Sequence, residues 1–213
     1  MRKLWVLISM CAALSVIGLG CDNSGSSSSY GANHDFGVND PNLYVCIGDS
    51  ITAGIGDGVT PYPRNLAQML GQTVVNQGVA GERIPNGAAR TAAVLDTYRP
   101  GHLLILHGVN DIMDGRGIGE IISYHRMMIQ TAKSRDVLPA ISTITPFVGA
   151  REFYNDRVYE LNQQIRILAV EEGILLIDGE RVIDGRADYV VSDGLHLSES
   201  GSVALAAAWS DRL

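Results

Sequence analysis

The sequence has few cysteines, few aromatic residues and less basic than acidic charge. Its three cysteines are Cys11, Cys21 and Cys46, and two of them precede the part of the chain that has the composition of a domain. No disulfide framework is therefore available. Lys and Arg total 16 against 23 Asp and Glu, a formal net charge of −7, and the basic residues form no cluster. Nucleic acid is excluded as an expected partner.

Metal-binding patterns and long hydrophobic runs are also scarce. No Cys/His spacing is typical of a structural metal, so no metal or cofactor is expected. The one long apolar run covers residues 4–19, follows Arg2 and Lys3, and is somewhat short for a membrane span of about 20 residues. This pattern is typical of an export signal. The sequence therefore predicts an export signal at residues 1–20, a Ser- and Gly-rich tether at residues 21–41 and one domain at residues 42–213.

Cys21 stands just after the apolar run, separated from it by Gly20. It resembles the lipid-modified cysteine of bacterial lipoproteins, although Gly18 stands where that pattern usually has Leu. The resemblance implies lipid attachment at Cys21, membrane association through this anchor and a location in the bacterial cell envelope. Without lipidation, the same signal predicts a periplasmic or secreted protein.

Within the predicted domain, short β-rich runs alternate with helical periodicity. The runs lie at residues 43–47, 73–76, 103–107, 137–142 and 174–177. Apolar residues at helical spacing occur at residues 118–132 and 154–169, more weakly at 85–98, and in an Ala-rich segment at 195–212. This alternation predicts an α/β fold in which helices cover both faces of a parallel sheet of about five strands.

Polar segments that are unusual for turns follow several of these strands. They lie at residues 48–50, 76–81, 108–111 and 193–196. In open parallel sheets, ligands bind at the carboxyl ends of the strands, where the connecting loops converge. We therefore expect these four segments to lie on one rim of the domain.

Three of the rim residues form a candidate catalytic set. Ser50 ends a strand-to-turn junction, where a serine hydroxyl is exposed enough to act as a nucleophile. A serine needs a base, and a base needs a partner that orients it, which Asp193 and His196 supply at a spacing of three. In the alternative interpretation, Ser50 caps a helix, Asp193 caps the final helix and His196 lies on the surface of that helix.

Acyl transfer also needs hydrogen-bond donors for the oxyanion that forms during the reaction. The candidates are the backbone N–H groups of Ser50 and Gly78 and the side-chain amide of Asn110. Gly78 has no side chain, so a substrate can approach its N–H closely. Alternatively, Gly78 is an ordinary turn glycine and Asn110 caps a helix.

Together these segments resemble the SGNH, or GDSL-type, hydrolase family. Gly-Asp-Ser-Ile at residues 48–51, Asn-Gln-Gly at 76–78, Gly-Val-Asn-Asp at 108–111 and Asp-Gly-Leu-His at 193–196 match its four blocks in order, with Ile in place of the commonest Leu. The resemblance implies a flavodoxin-like three-layer α/β/α sandwich and ester hydrolysis without a metal. It also implies that Ser50 is the nucleophile, His196 the base and Asp193 its orienter, with Ser50, Gly78 and Asn110 forming the oxyanion hole.

Other residues offer weaker alternatives. His107 lies beside the asparagine block and is an alternative base, but no Asp stands at a matching spacing. The glycine-rich segment at residues 54–58 lacks the pattern of a phosphate loop and is expected to pass close to the substrate. His34, His102 and His125 are expected on the surface or in packing contacts. Cys46 is expected to be a buried packing residue.

The leading functional hypothesis is a serine-dependent carboxylic ester hydrolase. Its expected substrates are small-molecule esters, lipid esters such as lysophospholipids, or acetylated glycans, with the loops at residues 143–153 and 178–192 shaping specificity. One alternative is an acyltransferase that uses the same triad. Another is a non-catalytic binding module of the envelope. The sequence makes no prediction of the oligomeric state.

Overall fold

A computed structural model of the protein describes residues 31–56 and 58–213. Over these residues the chain forms five β-strands and eight α-helices. The strands are β1 (Asp40–Gly48), β2 (Thr73–Gly78), β3 (Pro100–Leu106), β4 (Leu138–Ser142) and β5 (Leu175–Ile177). The helices are α1 (Ser50–Ala53), α2 (Tyr62–Leu70), α3 (Ile84–Tyr98), α4 (Val109–Met113), α5 (Ile118–Lys133), α6 (Asn155–Glu172), α7 (Gly179–Ile183) and α8 (Glu199–Ser210).

The five strands form one parallel sheet in the order β2-β1-β3-β4-β5. This is the strand order of flavodoxin-like folds, in which the chain reverses direction across the sheet between β1 and β3. The register aligns the last residue of β1, Gly48, with Gly78 of β2 and Leu106 of β3. The segments that follow these three strands therefore begin at the same level of the rim.

Helices cover both faces of the sheet in two groups. On one side α8 packs against α2 and α7, and on the other α5 packs against α3 and α6. Every residue of β3 is buried, as expected for a central strand that has helices above and below it. The predicted three-layer α/β/α fold with about five parallel strands is confirmed.

The final helix begins later than the sequence predicts. The Ala-rich segment suggested a helix from residue 195, but α8 runs from Glu199 to Ser210. Ser198 is its N-cap, and the Ser198 hydroxyl accepts a hydrogen bond from the Gly201 N–H at 3.2 Å. The residues before this cap are therefore free to form the loop that carries Asp193 and His196.

Several residues that precede residue 42 contact the rest of the described chain. The strand β1 begins at Asp40, and the Asn39 side chain donates to the Arg135 carbonyl at 2.7 Å. The His34 ring nitrogen Nε2 lies 3.0 Å from the carbonyl oxygen of Asp136. Part of the predicted tether thus contacts the domain. The predicted export signal and Cys21 lie outside the described residues.

Cys46 and two of the histidines are packing residues, as expected. Cys46 is fully buried, and burial raises the pKa of its thiol to about 12, so the thiol is unreactive. His102 stacks on Tyr44 with ring centroids 4.3 Å apart, and burial lowers the pKa of His102 to about 4. His125 is fully buried, and burial lowers its pKa to about 3. These groups are therefore held in their neutral forms at neutral pH.

Candidate active site

The turn after β1 presents Ser50 at the start of α1. Asp49 is the N-cap of this helix, and its carboxylate accepts from the Ile51 N–H at 3.0 Å. Burial raises the pKa of Asp49, which is 1% exposed. Because Asp49 caps the helix, the hydroxyl of Ser50 is available for another partner. The interpretation of Ser50 as a helix cap is therefore not supported.

The partner of Ser50 is His196, which is 146 residues away in sequence. The Ser50 Oγ lies 2.8 Å from His196 Nε2, and His196 Nδ1 lies 2.5 Å from Asp193 Oδ2. A carboxylate can only accept, so Nδ1 carries the proton and Nε2 is left to accept from the Ser50 hydroxyl. The three side chains form a continuous hydrogen-bonded chain that leads to the Ser50 oxygen.

The Asp193 carboxylate is fixed by its own loop. Its Oδ1 accepts from the N–H groups of Leu195 and His196 at 2.8 and 3.0 Å. Burial would raise the pKa of Asp193, but these bonds and the one from the His196 ring outweigh it and hold the pKa below its usual value. Asp193 is therefore ionised and can stabilise a positive charge on His196. It does not cap α8, which was the alternative interpretation.

Asn110 is the second residue of α4 and is half-buried at the rim. One N–H of its amide donates to the backbone carbonyl of Glu82 at 2.9 Å. A primary amide has two N–H donors, so the second remains for a ligand. The neighbouring Asp111 is fully buried and accepts from the Ile84 N–H at 2.9 Å and from Arg116 Nε at 2.6 Å. Asn110 itself makes no capping bond, so the helix-cap alternative is not supported.

The N–H of Gly78 has a different role in the structure from the one predicted for it. Its N–H donates to the Asn76 side chain at 2.9 Å and is therefore not free for an oxyanion. Packing explains why residue 78 has no side chain. A Cβ at Gly78 would lie 2.1 Å from the Ala53 nitrogen and 2.6 Å from the Thr52 carbonyl carbon. Glycine is required there because the end of β2 packs directly on the backbone of α1.

Gly81, which the sequence patterns did not single out, has the free N–H that Gly78 lacks. It is exposed, has a φ of +70°, and a Cβ there would meet nothing within 4 Å. Within residues 31–56 and 58–213, no acceptor bonds to the Gly81 N–H. Gly81 directly precedes Glu82, whose carbonyl holds Asn110. The sequence signal was the second glycine of the Gly-Val-Ala-Gly segment at residues 78–81.

A small apolar pocket lies beside Ser50 and His196. Its volume is about 10 Å³, roughly the space for one water molecule. Apart from the catalytic pair, it is lined mainly by apolar residues, namely Ile51, Gly54, Ile55, Val59, Pro61, Tyr62 and Leu197. Of the glycine-rich segment at residues 54–58, Gly54 and Ile55 line this pocket, as does the following Val59. In this conformation only a very small group fits between these walls.

His107 is not placed to act as the base for Ser50. It is fully buried, and its Nε2 lies 3.2 Å from the Glu82 carboxylate. Its carbonyl accepts from His125 Nε2 at 3.1 Å. The described contacts of His107 therefore do not include Ser50, whereas His196 contacts the hydroxyl directly.

Glu82 and Arg90 are rim residues that the sequence patterns did not reveal. Glu82 is 8% exposed and carries the carbonyl that orients Asn110. Arg90 binds both oxygens of the Glu82 carboxylate at 2.8 and 2.6 Å. The available signal was Arg90 itself, a charged residue among the small and apolar residues of α3.

The described part of the chain provides neither a metal site nor a membrane-spanning helix. Over these residues, no group of three or more His, Cys, Asp and Glu side chains is arranged to hold a metal ion. Likewise, none of the described helices combines the length and apolar character needed to span a membrane.

Comparison with known proteins extends these observations. The profile of the GDSL-like lipase/acylhydrolase family matches residues 46–204. An arylesterase of Vibrio mimicus is 31% identical over 162 residues, which cover 71% of this chain and 78% of that protein.

Solved structures share the fold at lower identity. A lipolytic protein of the G-D-S-L family from Desulfitobacterium hafniense has a TM-score of 0.73 at 22% identity, over 81% of this chain and 99% of that one. A lipase/acylhydrolase from Enterococcus faecalis has a TM-score of 0.69 at 24% identity, over 79% and 93% of the two chains. The acetylxylan esterase Axe2 from Geobacillus stearothermophilus has a TM-score of 0.69 at 18% identity, over 83% and 96%.

Proposed function

Since the chain belongs to the GDSL-like lipase/acylhydrolase family and is a hydrolase of ester bonds, we propose that it is a serine-dependent carboxylic ester hydrolase that works through an acyl-enzyme at Ser50. The observation that carries this proposal is the hydrogen-bonded chain from Ser50 through His196 to Asp193. It supplies a nucleophile, a base and an orienting carboxylate in contact with one another.

In the proposed reaction, His196 Nε2 takes the proton of the Ser50 hydroxyl while Oγ bonds to the ester carbonyl carbon. The carbonyl π electrons move to its oxygen, which becomes the oxyanion. His196 then returns the proton to the leaving alkoxide as the ester C–O bond breaks, which leaves an acyl group on Ser50. Water repeats the same steps to release the acid. The ionised Asp193 stabilises His196 while it is positively charged.

We propose that the oxyanion is bound by the N–H groups of Ser50 and Gly81 and by the amide of Asn110. Gly81 replaces Gly78 in this assignment because the Gly78 N–H already donates to Asn76. The free second N–H of Asn110 and the exposed N–H of Gly81 support the assignment. Such donors act mainly on charge that develops in the transition state.

We further propose that the enzyme favours esters with short acyl groups. The apolar pocket beside Ser50 has a volume of about 10 Å³, so a long acyl chain has no preformed site there. The name of one structural relative, an acetylxylan esterase, agrees with this preference.

A panel of p-nitrophenyl esters tests both proposals. We expect kcat/KM to be highest for the acetyl ester and to fall as the acyl chain lengthens, because longer chains must displace the pocket walls. A fluorophosphonate probe should label the peptide that contains Ser50. Labelling without turnover of any ester would instead support a non-catalytic binding module, and a preference for long chains would contradict the short-acyl proposal.

Asn110→Ala is expected to lower kcat about a hundredfold to a thousandfold with little change in KM, because the amide bonds mainly to the developing oxyanion. Steady-state kinetics with p-nitrophenyl acetate measure both constants. Asn86→Ala is a matched control, since Asn86 lies in α3 and its side chain makes no hydrogen bond within the described residues. A large increase in KM at unchanged kcat would remove Asn110 from the oxyanion hole.

We also propose that the protein is exported and anchored to the bacterial cell envelope by lipid at Cys21. The support is the charged start, apolar run and Cys21 of the sequence, followed by a Ser/Gly-rich stretch long enough to hold the domain off a membrane surface. The mass of the mature N-terminus tests this, since an added lipid on Cys21 supports the anchor and a different cleavage site contradicts it.

A further inference from the structure

A single guanidinium group connects three segments of the rim. Arg90, in the middle of α3, donates from Nη2 to the carbonyl of Gln77 at 2.7 Å and to the carbonyl of Gly48 at 3.4 Å. Gly48 lies two residues before Ser50, and Gln77 lies at the end of β2. The same guanidinium binds the Glu82 carboxylate through Nε and Nη2. Arg90 thus joins the ends of β1 and β2 to the turn that contains Glu82.

Glu82 connects this ion pair to Asn110 through its backbone. The side chain of Glu82 is held by Arg90 on one side and by the buried His107 ring at 3.2 Å on the other. Burial would raise the pKa of Glu82, but the hydrogen bonds from His107 and Arg90 outweigh it and lower the pKa. The carboxylate is therefore ionised, and a two-point ion pair fixes the orientation of this residue.

The Glu82 carbonyl is the described partner of the Asn110 amide, at 2.9 Å. An asparagine amide rotates readily about its last bond unless a partner holds it. With one N–H held by the Glu82 carbonyl, the direction of the second N–H is also determined, because the amide is planar. Any movement of Glu82 would therefore redirect the donor that faces the reacting carbonyl.

We propose that the Arg90–Glu82 ion pair is a positioning device that aims the Asn110 amide at the oxyanion. The inference rests on the proposed function, because it requires Asn110 to be an oxyanion donor. Neither Arg90 nor Glu82 touches the reacting atoms in this scheme. Both act through the Glu82 carbonyl, and the benefit appears in kcat rather than in substrate binding.

A double-mutant cycle between Arg90 and Asn110 tests this. Arg90→Lys keeps the positive charge but loses the two-point contact with Glu82. With p-nitrophenyl acetate we expect it to lower kcat about tenfold to a hundredfold at nearly constant KM, since a misplaced donor loses part of its effect. In the Asn110→Ala background, the same substitution should change kcat by less than about twofold, because no amide is left to position.

Glu82→Gln provides a second, independent cycle in case Arg90→Lys fails to fold. It should give the same result, namely a kcat loss that disappears in the Asn110→Ala background. Arg135→Lys is the matched control, because Arg135 also binds a carboxylate through two nitrogens, that of Asp96, on the surface away from the rim. It should leave kcat unchanged in both backgrounds.

Two results would overturn the proposal in different ways. If the Arg90 or Glu82 substitution lowers kcat equally in both backgrounds, the ion pair has a general structural role and the positioning inference fails. If Asn110→Ala alone leaves kcat unchanged, the oxyanion assignment fails and the inference fails with it. Unfolding midpoints of all variants identify any loss that arises from reduced stability.

Discussion

Ser50→Ala is expected to lower kcat for p-nitrophenyl acetate by about 10⁴-fold to 10⁶-fold, the range seen when serine hydrolases lose their nucleophile. Without Oγ no acyl-enzyme can form, and only the oxyanion donors and substrate binding remain. Labelling by a fluorophosphonate should disappear as well. The fold should be retained, because the lost hydroxyl bonds to His196 at the rim and the removed volume is a single atom.

Three measurements check this expectation: kcat, probe labelling by mass spectrometry and the thermal unfolding midpoint. Ser123→Ala is the control, since Ser123 is exposed on α5 and its hydroxyl donates to the Glu120 carbonyl. It should match the wild type in all three. If the Ser50→Ala protein is folded and still labelled at another residue with turnover intact, Ser50 is not the nucleophile.

His196→Ala is expected to be almost as damaging, with kcat reduced about 10⁴-fold to 10⁶-fold, because nothing else accepts the Ser50 proton. Asp193→Asn should lower kcat less, by about 10⁴-fold. The imidazole is still present in this variant, but it has lost the negative charge that stabilises its protonated form.

Steady-state kinetics of the wild type and the two variants with p-nitrophenyl acetate measure these losses in kcat. His34→Ala is the control, because the contacts of the His34 ring with the Asp136 carbonyl and the Phe36 ring lie outside the catalytic chain, and it should leave kcat unchanged. Full activity in His196→Ala would indicate that His107 is the base. That outcome would require the ring of His107, which is fully buried, to reach the Ser50 hydroxyl.

The strands were predictable because the sheet is buried on both faces. Residues 43–47 and 103–106 are apolar throughout, as a central parallel strand requires, and both lie within the observed strands. The beginning of α8 was not predictable from its Ala-rich composition. Helix propensity favours an earlier start, but the Ser198 cap and the loop that holds His196 set the boundary.

The sequence also could not show which of two glycines has a free N–H for the oxyanion. Gly78 and Gly81 are three residues apart, and both suit a turn that exposes an N–H group. Only the packing of β2 on α1 explains why Gly78 lacks a side chain, and only the contact with Asn76 shows that its N–H is engaged. The roles of Glu82 and Arg90 were not predictable for the same reason, because their contacts join separate elements.

Local patterns in the sequence were sufficient to predict the fold class and the chemical types of the rim residues. Apolar runs, helical periodicity and four polar segments are local patterns, and local patterns indicate which elements form and which residue types occupy the turn after each strand. Which nitrogen faces Ser50, which N–H groups are free and which carbonyl holds Asn110 were not predictable from these patterns and follow from the tertiary packing. These depend on segments as distant as Ser50 and His196 meeting at hydrogen-bond distance, and donor and acceptor pairing is set only when the packed chain brings them together.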